Sequence, residues 1–242
     1  MRAADHLPRT TDTLKKHGLF ITLEGIDGTG KSTQHRLLTL YLKGCGNKVV
    51  ATREPGSTRV GEQIRDILLA SKTEKLAPIA ELLLMYAARA QHLEEVVRPA
   101  LARGEIVVSD RYNDASMAYQ GYGRKLGAAT VHGIDQIVCG STQPDLTLVL
   151  DLSPRRALAR AHGREARQKS KHGRFEVQGL AFHERVRSGY IVIAKNDPSR
   201  VKLINADQSV AEVQAEIRSQ VELFLEKHGR QTTRWGISNG NG

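Results

Sequence analysis

Short apolar runs alternate along this chain with longer stretches in which apolar residues recur every three or four positions. The short runs are rich in β-branched residues and have the length of buried strands; they cover 19–23, 48–52, 106–109, 146–150 and 201–204. The longer stretches predict helices over 33–43, 60–70, 77–103, 128–139, 154–161, 180–194 and 210–227. Strands that alternate with helices predict an α/β fold, in which a five-stranded parallel sheet carries helices on both faces.

The loop after the first predicted strand has the sequence of a phosphate-binding loop. It reads Gly25-Ile26-Asp27-Gly28-Thr29-Gly30-Lys31-Ser32, and Thr33 opens the helix that follows. The spacing GxxxxGKS between a strand and a helix predicts backbone N–H groups that face phosphates, beside the positive N-terminal end of the helix. In such a loop the lysine reaches the β- and γ-phosphates and the serine hydroxyl coordinates Mg²⁺. We therefore predict a P-loop NTPase fold with an ATP site over 25–33.

The composition is that of a soluble protein with no membrane span. Of the 242 residues, 40% are hydrophobic, and no apolar run approaches the roughly 18 residues that a transmembrane helix needs. The first 18 residues contain no apolar h-region, which argues against a secretory signal, while a mitochondrial transit peptide stays open as an alternative. Cys45 and Cys139 lie far apart without metal-ligand spacing, so neither a disulfide nor a zinc site is expected. We expect a cytoplasmic protein with a flexible extension over 1–18, one domain over 19–228 and a flexible tail over 229–242.

The net charge of +10 favours anionic partners, and the distribution of the charge decides which. A basic block between Arg155 and Arg174 holds eight Lys or Arg residues and one acid, Glu165. Such a block is usually a solvated, flexible face. A nucleic-acid-binding protein would instead carry a basic stripe with aromatic residues that stack on bases, whereas only 5% of this chain is aromatic and the block has no Trp or Tyr. We therefore expect small-molecule nucleotides as partners and no nucleic acid.

Further motifs follow the predicted strands and their helices: Thr52-Arg53-Glu54-Pro55-Gly56, Tyr86-Ala87-Ala88-Arg89, Ser109-Asp110-Arg111-Tyr112 and Ala118-Tyr119-Gln120-Gly121. Together with the P-loop, they resemble the thymidylate kinase family from about residue 19 to about residue 227. The resemblance implies a homodimer that transfers the γ-phosphoryl group of ATP to dTMP with Mg²⁺ as cofactor. Because a P-loop, an Asp-Arg pair and a lid are shared broadly, another P-loop nucleoside-monophosphate or deoxynucleoside kinase is the alternative.

The resemblance places dTMP against polar residues that follow the strands. It implies that Asp27 accepts a hydrogen bond from the sugar 3′-hydroxyl and that Arg111 and Arg53 hold the acceptor phosphate. A bidentate guanidinium suits a phosphate, although an ion pair between Asp110 and Arg111 that fixes the strand end is the alternative. Asp110 is expected to join Ser32 at the Mg²⁺ ion.

The base pocket is expected around Arg89, which lies among apolar residues of a predicted helix, an unusual place for an unpaired guanidinium. The resemblance directs this side chain to the thymine O4, and a surface arginine is the alternative. Ser116 and Tyr119 follow the Asp-Arg pair at helical spacing, so both can face one pocket. The resemblance implies that they contact the base edge and crowd the sugar 2′ position, with Gln120 as a further substrate ligand.

Met85 departs from the family, which usually has a phenylalanine here that stacks on thymine. Tyr86 is not expected to replace the ring, because adjacent helical residues point about 100° apart. A methionine thioether recovers part of the contact, since sulfur–aromatic pairs contribute about 0.3–1.5 kcal/mol. We expect Met85 to contact the base and dTMP to bind more loosely while remaining the preferred acceptor.

The lid is the second departure. One subclass of the family has an arginine at the position of Gly28, and the bacterial subclass supplies its arginine from a mobile lid, which the resemblance places over about 155–175. The family's lid usually contains R-x-R-G followed by D-R-x-E, whereas this chain reads Arg160-Ala161-His162-Gly163-Arg164 and, later, Arg174-Phe175-Glu176. The predicted catalytic residues are therefore Lys31, Arg111 and one or more of Arg160, Arg164 and Arg174.

Overall fold

The computed structural model describes residues 17–69, 76–168, 175, 178–230 and 232. Within them the strands are β1 (Leu19–Glu24), β2 (Val49–Arg53), β3 (Ile106–Asp110), β4 (Leu146–Asp151) and β5 (Val201–Asn205). The α-helices are α1 (Lys31–Gly44), α2 (Arg59–Leu69), α3 (Pro78–His92), α4 (Arg98–Ala102), α5 (Asn113–Ser116), α6 (Ala128–Val138), α7 (Pro154–Gln168), α8 (Leu180–Asn196) and α9 (Val210–Lys227). Two π-helical segments among these residues, Leu93–Val97 and Met117–Gly123, join α3 to α4 and extend α5.

The described strands form one parallel five-stranded sheet in the order β2-β3-β1-β4-β5, which confirms the predicted fold class. β1 lies at the centre and pairs with β3 through Ile21↔Val108 and with β4 through Leu23↔Leu148. The chain passes from one side of β1 to the other between β3 and β4. In open parallel sheets the crevice that binds ligands lies at such a reversal, beyond the carboxyl ends of the strands.

Alternate residues of β1 enter two separate cores. Ile21 and Leu23 pack with buried side chains of α1, α8 and α9. Phe20 points the other way and packs with buried side chains of α3 and α6, among them Leu82 and Val131. Because both faces are covered, every residue of β1 is buried, and Thr22 is the one polar residue before the last position of the strand.

Each strand runs one residue beyond its predicted end, to Glu24, Arg53, Asp110, Asp151 or Asn205. The apolar pattern stops before these polar residues, but the parallel pairing continues through them, as in Arg53↔Asp110. The carboxyl edge of the sheet therefore carries a row of ionisable and polar side chains.

Beyond shifts of one or two residues at their ends, the helices depart from the pattern in two places. The helical stretch predicted over 77–103 is confirmed over 78–102, but a π-helical turn, Leu93–Val97, lies between α3 and α4. Pro99 lacks an N–H and its ring crowds the carbonyl four residues earlier, which favours a wider turn there. α7 continues to Gln168 instead of ending near 161. The helical spacing of Ser116 and Tyr119 is confirmed by α5 and its π-helical extension.

The predicted domain limits stay predictions. Residues 1–16 and 233–242 lie outside the described residues, as do 169–174 of the predicted lid. Near the amino end of β1, Arg230 donates hydrogen bonds to the carbonyl oxygens of His17 at 2.9 Å and Gly104 at 3.0 Å, so the two ends of the described chain meet. Among the described helices, none combines the length and the hydropathy of a membrane span.

Candidate active site

The P-loop connects β1 to α1, and its backbone packs closely against neighbouring segments. Gly25 and Gly28 have φ values of +133° and +86°, which residues with a side chain rarely adopt. A Cβ atom on Gly25 would lie 2.6 Å from the carbonyl oxygen of Leu150, and one on Gly28 would lie 1.9 Å from that of Ala157 in α7. An arginine at position 28 would therefore require α7 to move away from the loop.

Lys31 begins α1 and is buried beside the P-loop. Its Nζ donates a hydrogen bond to the carbonyl oxygen of Ile26 at 2.9 Å and lies 3.9 Å from Asp27 Oδ1. Burial lowers the pKa of Lys31 to about 8, and the Arg111 guanidinium acts in the same direction, against the nearby carboxylates. An anion bound in the loop would raise this pKa and keep the ammonium charged.

Ser32 and Asp110 bring a hydroxyl and a carboxylate together beside the P-loop. Ser32 Oγ, on α1, donates to Asp110 Oδ2, at the end of β3, over 3.2 Å. Both groups are hard oxygen ligands of the kind that Mg²⁺ prefers. The predicted metal ligands are thus adjacent.

Arg111 follows β3 in a left-handed conformation with a φ of +74°, which costs about 1–2 kcal/mol for a residue with a side chain. Its Nη1 donates to the carbonyl oxygen of Gly25 at 3.0 Å and to Tyr190 Oη at 3.3 Å. Its Nη2 donates to Asp27 Oδ1 at 2.7 Å and to Tyr119 Oη at 3.1 Å. The carboxylate that pairs with Arg111 therefore belongs to the P-loop and not to the preceding residue.

Asp27 is held ionised by this pairing. Burial alone would raise the pKa of its carboxyl, but Arg111 and then Lys31 outweigh burial and lower the pKa to about 2. Asp27 Oδ2 also lies 3.3 Å from Tyr119 Oη. The side chain is thus a permanent hydrogen-bond acceptor at neutral pH.

Arg53, at the end of β2, pairs with Glu62 of α2. Its Nη2 lies 2.7 and 2.8 Å from the two carboxylate oxygens, and both side chains are exposed. Arg65, also on α2, donates to the carbonyl oxygen of Pro55 at 2.8 Å. Burial lowers the pKa of Arg65, and the positive charges of Arg53 and Arg111 lower it further. Three arginines from separate elements therefore converge beyond the ends of β2 and β3.

Arg89 of α3 is buried and paired, so a surface arginine is the wrong alternative. Its Nε donates to Glu54 Oε2 at 2.7 Å, and its Nη2 donates to the carbonyl oxygen of Tyr112 at 2.9 Å and to Ser116 Oγ at 3.1 Å. The other Glu54 oxygen lies 2.8 Å from His92 Nδ1. Arg89 Nη1 has no hydrogen-bond partner among the described residues. A buried donor of this kind suits a ligand acceptor.

Tyr119 and Gln120 lie in the π-helical extension of α5 and are buried, as is Ser116 before them. Ser116 contacts the buried arginine of α3 and Tyr119 contacts the arginine after β3, so this segment connects the two guanidinium groups. Gln120 Nε2 donates to Glu81 Oε1 of α3 at 2.9 Å.

Met85 and Tyr86 point into different cores. Met85 is half-buried and packs against the core that contains Ile21. Tyr86 is buried in the other core, where its hydroxyl donates to Asp135 Oδ1 at 3.1 Å. Tyr86 is therefore not positioned to stack where a residue at position 85 would.

Of the three candidate lid arginines, Arg160 is the one whose side chain lies among the described residues. Arg160 Nη1 donates to the carbonyl oxygen of Ala206 at 3.1 Å, and its Nη2 lies 3.8 Å from Asp207 Oδ1, in the loop after β5. The side chain of Arg164 and the whole of Arg174 lie outside the described residues. A catalytic role for one or more of these three arginines therefore stays a prediction.

Three residues that complete the site were not predicted: Glu24, Arg65 and Tyr190. Glu24 is fully buried and contacts the Tyr190 hydroxyl at 2.7 Å. Its position at the end of an apolar strand was a signal in the sequence. Arg65 and Tyr190 gave no such signal, because amphipathic helices commonly carry these residue types.

Comparison with known proteins agrees with this geometry. A family model described as thymidylate kinase matches residues 23–217. The thymidylate kinase of Pseudomonas syringae pv. tomato is 49% identical over 209 residues, which cover 86% of this chain and 97% of the relative. The thymidylate kinase of Desulfovibrio desulfuricans is 44% identical over 214 residues, covering 88% and 99%. The crystal structure of thymidylate kinase from Ehrlichia chaffeensis matches with a TM-score of 0.69 at 32% identity, covering 85% of this chain and 99% of that one. In sequence and in fold, the chain belongs to the thymidylate kinase family.

Proposed function

We propose that this chain transfers the γ-phosphoryl group of ATP to dTMP, giving dTDP and ADP, as an ATP-dependent nucleoside-monophosphate kinase. The observation that carries the proposal is the pair of fixed guanidinium groups of Arg111 and Arg89, one beside the P-loop and one with an unpartnered buried Nη1 among the described residues. A kinase for another nucleoside monophosphate or for deoxynucleosides is not supported, because relatives that match over almost their whole length are thymidylate kinases.

The acceptor phosphate would lie between Arg111 and the two arginines beyond β2, Arg53 and Arg65. Arg111 supplies a guanidinium whose direction is set by its four acceptors. Arg53 is available because an exposed pair such as Arg53–Glu62 contributes only about 0–1 kcal/mol, so a phosphate dianion can displace the carboxylate.

The nucleoside would extend from this phosphate towards α3. Asp27 is the acceptor for the sugar 3′-hydroxyl, and Arg89 Nη1 is the donor for the thymine O4. The same pocket would be lined by α5 and its π-helical extension, through Ser116, Tyr119 and Gln120. Met85 would lie against the base. Arg89 supports this assignment most directly, because Glu54 holds its guanidinium at a buried position.

The donor ATP would bind over the P-loop, 25–33, with Lys31 at its β- and γ-phosphates. Ser32 Oγ and Asp110 Oδ2, which lie 3.2 Å apart, fit a Mg²⁺ ion by the chemistry of their oxygens. Bound Mg²⁺ neutralises charge on the phosphates during transfer.

The reaction needs no strong general base, because a nucleotide phosphate is already ionised at neutral pH. The obstacle is repulsion between two anions. We propose that positively charged side chains lower this repulsion by positioning the phosphates and neutralising their charge. They are Lys31, Arg111 and one or more of Arg160, Arg164 and Arg174. Closure of the lid would exclude water and limit hydrolysis of ATP.

We also propose a homodimer in the cytoplasm. α2 and α3 carry four exposed large apolar side chains, Val60, Ile67, Ile79 and Leu83, and a second copy of the chain would cover them. Both cysteines, Cys45 and Cys139, are free thiols, as is usual in a reducing compartment. Light scattering coupled to gel filtration tests the dimer, and a mass of one chain would refute it.

The function is tested by ADP release from ATP over a panel of nucleoside monophosphates. We expect the highest kcat/KM with dTMP, and lower values with UMP, dCMP and dGMP. Preference for any other acceptor would refute the assignment of the base pocket. Absence of ADP release with every acceptor would refute the kinase proposal itself.

A further inference from the structure

Glu24 lies at the junction of β1 and the P-loop, and the proposed chemistry gives it no role. It is fully buried, and both of its carboxylate oxygens accept hydrogen bonds. Oε1 accepts from the backbone N–H of Tyr112 at 2.7 Å, and Oε2 accepts from the hydroxyl of Tyr190, on α8, at 2.7 Å. A buried carboxylate must be paired in this way, because an unpartnered one is strongly destabilising.

These two contacts reach Arg111 from both sides. The Tyr112 N–H belongs to the peptide that directly follows Arg111, where the chain turns through the left-handed φ of +74°. The Arg111 N–H donates to the carbonyl oxygen of Leu23 at 3.0 Å, so the end of β1 holds the turn on either side. Tyr190 Oη accepts from Arg111 Nη1 at 3.3 Å, which links Glu24 to the guanidinium itself.

We propose that Glu24 is a positioning residue for phosphoryl transfer: its carboxylate sets the backbone turn of Arg111 through the Tyr112 N–H and the direction of the Arg111 guanidinium through the Tyr190 hydroxyl. This inference rests on the proposed function, in which Arg111 holds the acceptor phosphate. Glu24 itself does not touch the substrate. Misplacement of a binding group by about 1 Å can cost about 100-fold in rate, so such a brace is catalytically significant.

The arrangement requires the ionised form of Glu24. A neutral carboxyl that keeps the Tyr112 N–H on its carbonyl oxygen has a hydroxyl at the other oxygen. That hydroxyl is a weaker acceptor and carries a proton that needs an acceptor, so the hydrogen bond from Tyr190 is weakened or reversed. Burial raises the pKa of Glu24 to about 7; Arg111 opposes this shift and Asp114 adds to it. The charged and titratable groups that face Glu24 from the surrounding elements are Lys31 on α1, Arg111 and Tyr112 after β3, Asp114 on α5 and Tyr190 on α8. The brace therefore forms above about pH 7 and weakens as the pH falls through this value.

The test compares the wild type with Glu24→Gln, Tyr190→Phe and the matched control Thr22→Val. Thr22 is buried on the same strand, and among the described residues its side chain makes one hydrogen bond, at 2.9 Å with Thr147 Oγ1, which does not include Glu24, Tyr190 or Arg111. We expect Glu24→Gln to lower kcat/KM for dTMP by about 10- to 100-fold, and Tyr190→Phe by about tenfold, with KM for ATP within about twofold of the wild type. Thr22→Val should stay within about twofold of the wild type in both constants.

The pH dependence separates positioning from a general loss of structure. Between about pH 8.5 and pH 5.5, the ratio of kcat/KM for dTMP in the wild type to that in Glu24→Gln should shrink, since only the wild type loses its carboxylate. Titration of the dTMP phosphate affects both proteins and cancels in the ratio. A ratio that stays constant with pH would overturn the proposal, as would equal losses in KM for ATP and for dTMP.

Circular dichroism and calorimetry distinguish loss of folding and loss of turnover from loss of positioning. If Glu24→Gln fails to fold by circular dichroism, Tyr190→Phe decides, because it removes only the hydroxyl that joins Glu24 to Arg111; unchanged kcat/KM for dTMP in Tyr190→Phe would then refute the brace. If the wild type binds dTMP in a calorimeter but does not turn it over, the proposed function fails, and the dTMP affinities of the variants still test the brace. Full wild-type turnover with unaffected variants refutes the brace alone.

Discussion

Glu54→Gln is expected to destabilise the fold far more than Glu62→Gln, although both remove a carboxylate from an arginine at the same distance. The Arg89–Glu54 and Arg53–Glu62 pairs both have an N–O separation of 2.7 Å. They differ in burial: the first pair is 2% and 4% exposed, and the second is 49% and 42% exposed. Each carboxylate also contacts one other group, His92 Nδ1 at 2.8 Å for Glu54 and the Ser57 N–H at 2.7 Å for Glu62, so burial is the main difference between the two sites.

The magnitude follows from what each arginine loses. Without Glu54, the buried Arg89 guanidinium keeps the Tyr112 carbonyl and Ser116 hydroxyl but no counter-charge. Removing one partner of a buried pair costs about 3–5 kcal/mol, and a glutamine oxygen can retain one of the two hydrogen bonds, so we expect about 3 kcal/mol. The exposed pair should lose about 0–1 kcal/mol. With a urea m value of about 3 kcal/mol/M, the midpoint shifts are about 1 M and at most about 0.3 M.

Urea unfolding followed by circular dichroism measures both shifts on the protein without nucleotides. The free energy of unfolding at acidic pH gives a second test.

Burial would raise the pKa of Glu54, but Arg89 and His92 outweigh burial and hold it below the ordinary value of 4.5. Because the folded pKa is depressed, the stabilisation is complete above pH 4.5 and is lost as the pH falls through the folded pKa. The difference in free energy of unfolding between the wild type and Glu54→Gln should therefore become smaller at that pH. Equal losses in the two variants at neutral pH would refute the reasoning.

Three further predictions concern catalysis. Lys31→Ala should remove nearly all phosphoryl transfer and leave the circular dichroism spectrum unchanged, because the lysine charge acts mainly in the transition state; full activity would contradict the P-loop assignment. At least one of the separate alanine substitutions of Arg160, Arg164 and Arg174 should lower kcat in the ADP-release assay, and unchanged kcat in all three would mean that the lid supplies no catalytic charge. Met85→Phe should lower KM for dTMP with kcat roughly unchanged, as expected for added uniform binding; a loss of activity would show that the pocket is built differently.

Local signals in the sequence were sufficient for the sheet and the P-loop. Apolar runs with the length of strands, and turns that require glycine, depend on neighbours within a few residues, so the strands were placed to within one residue at their carboxyl ends. The GxxxxGKS spacing between β1 and α1 is equally local. Arg89 was recognised as unusual because a charged residue interrupts an apolar helical pattern.

Only the tertiary structure decided which groups these residues contact. Arg111 pairs with Asp27, 84 positions earlier in the chain, and not with the adjacent Asp110. Gly28 is required because α7, far along the chain, brings the Ala157 carbonyl against the P-loop. Glu24 reads in sequence as the polar end of a strand, and its link to Arg111 exists because α8 places a tyrosine hydroxyl between them. Periodicity shows which face of an element is buried, but the partner of a buried charge depends on how distant elements pack, and that information is not local.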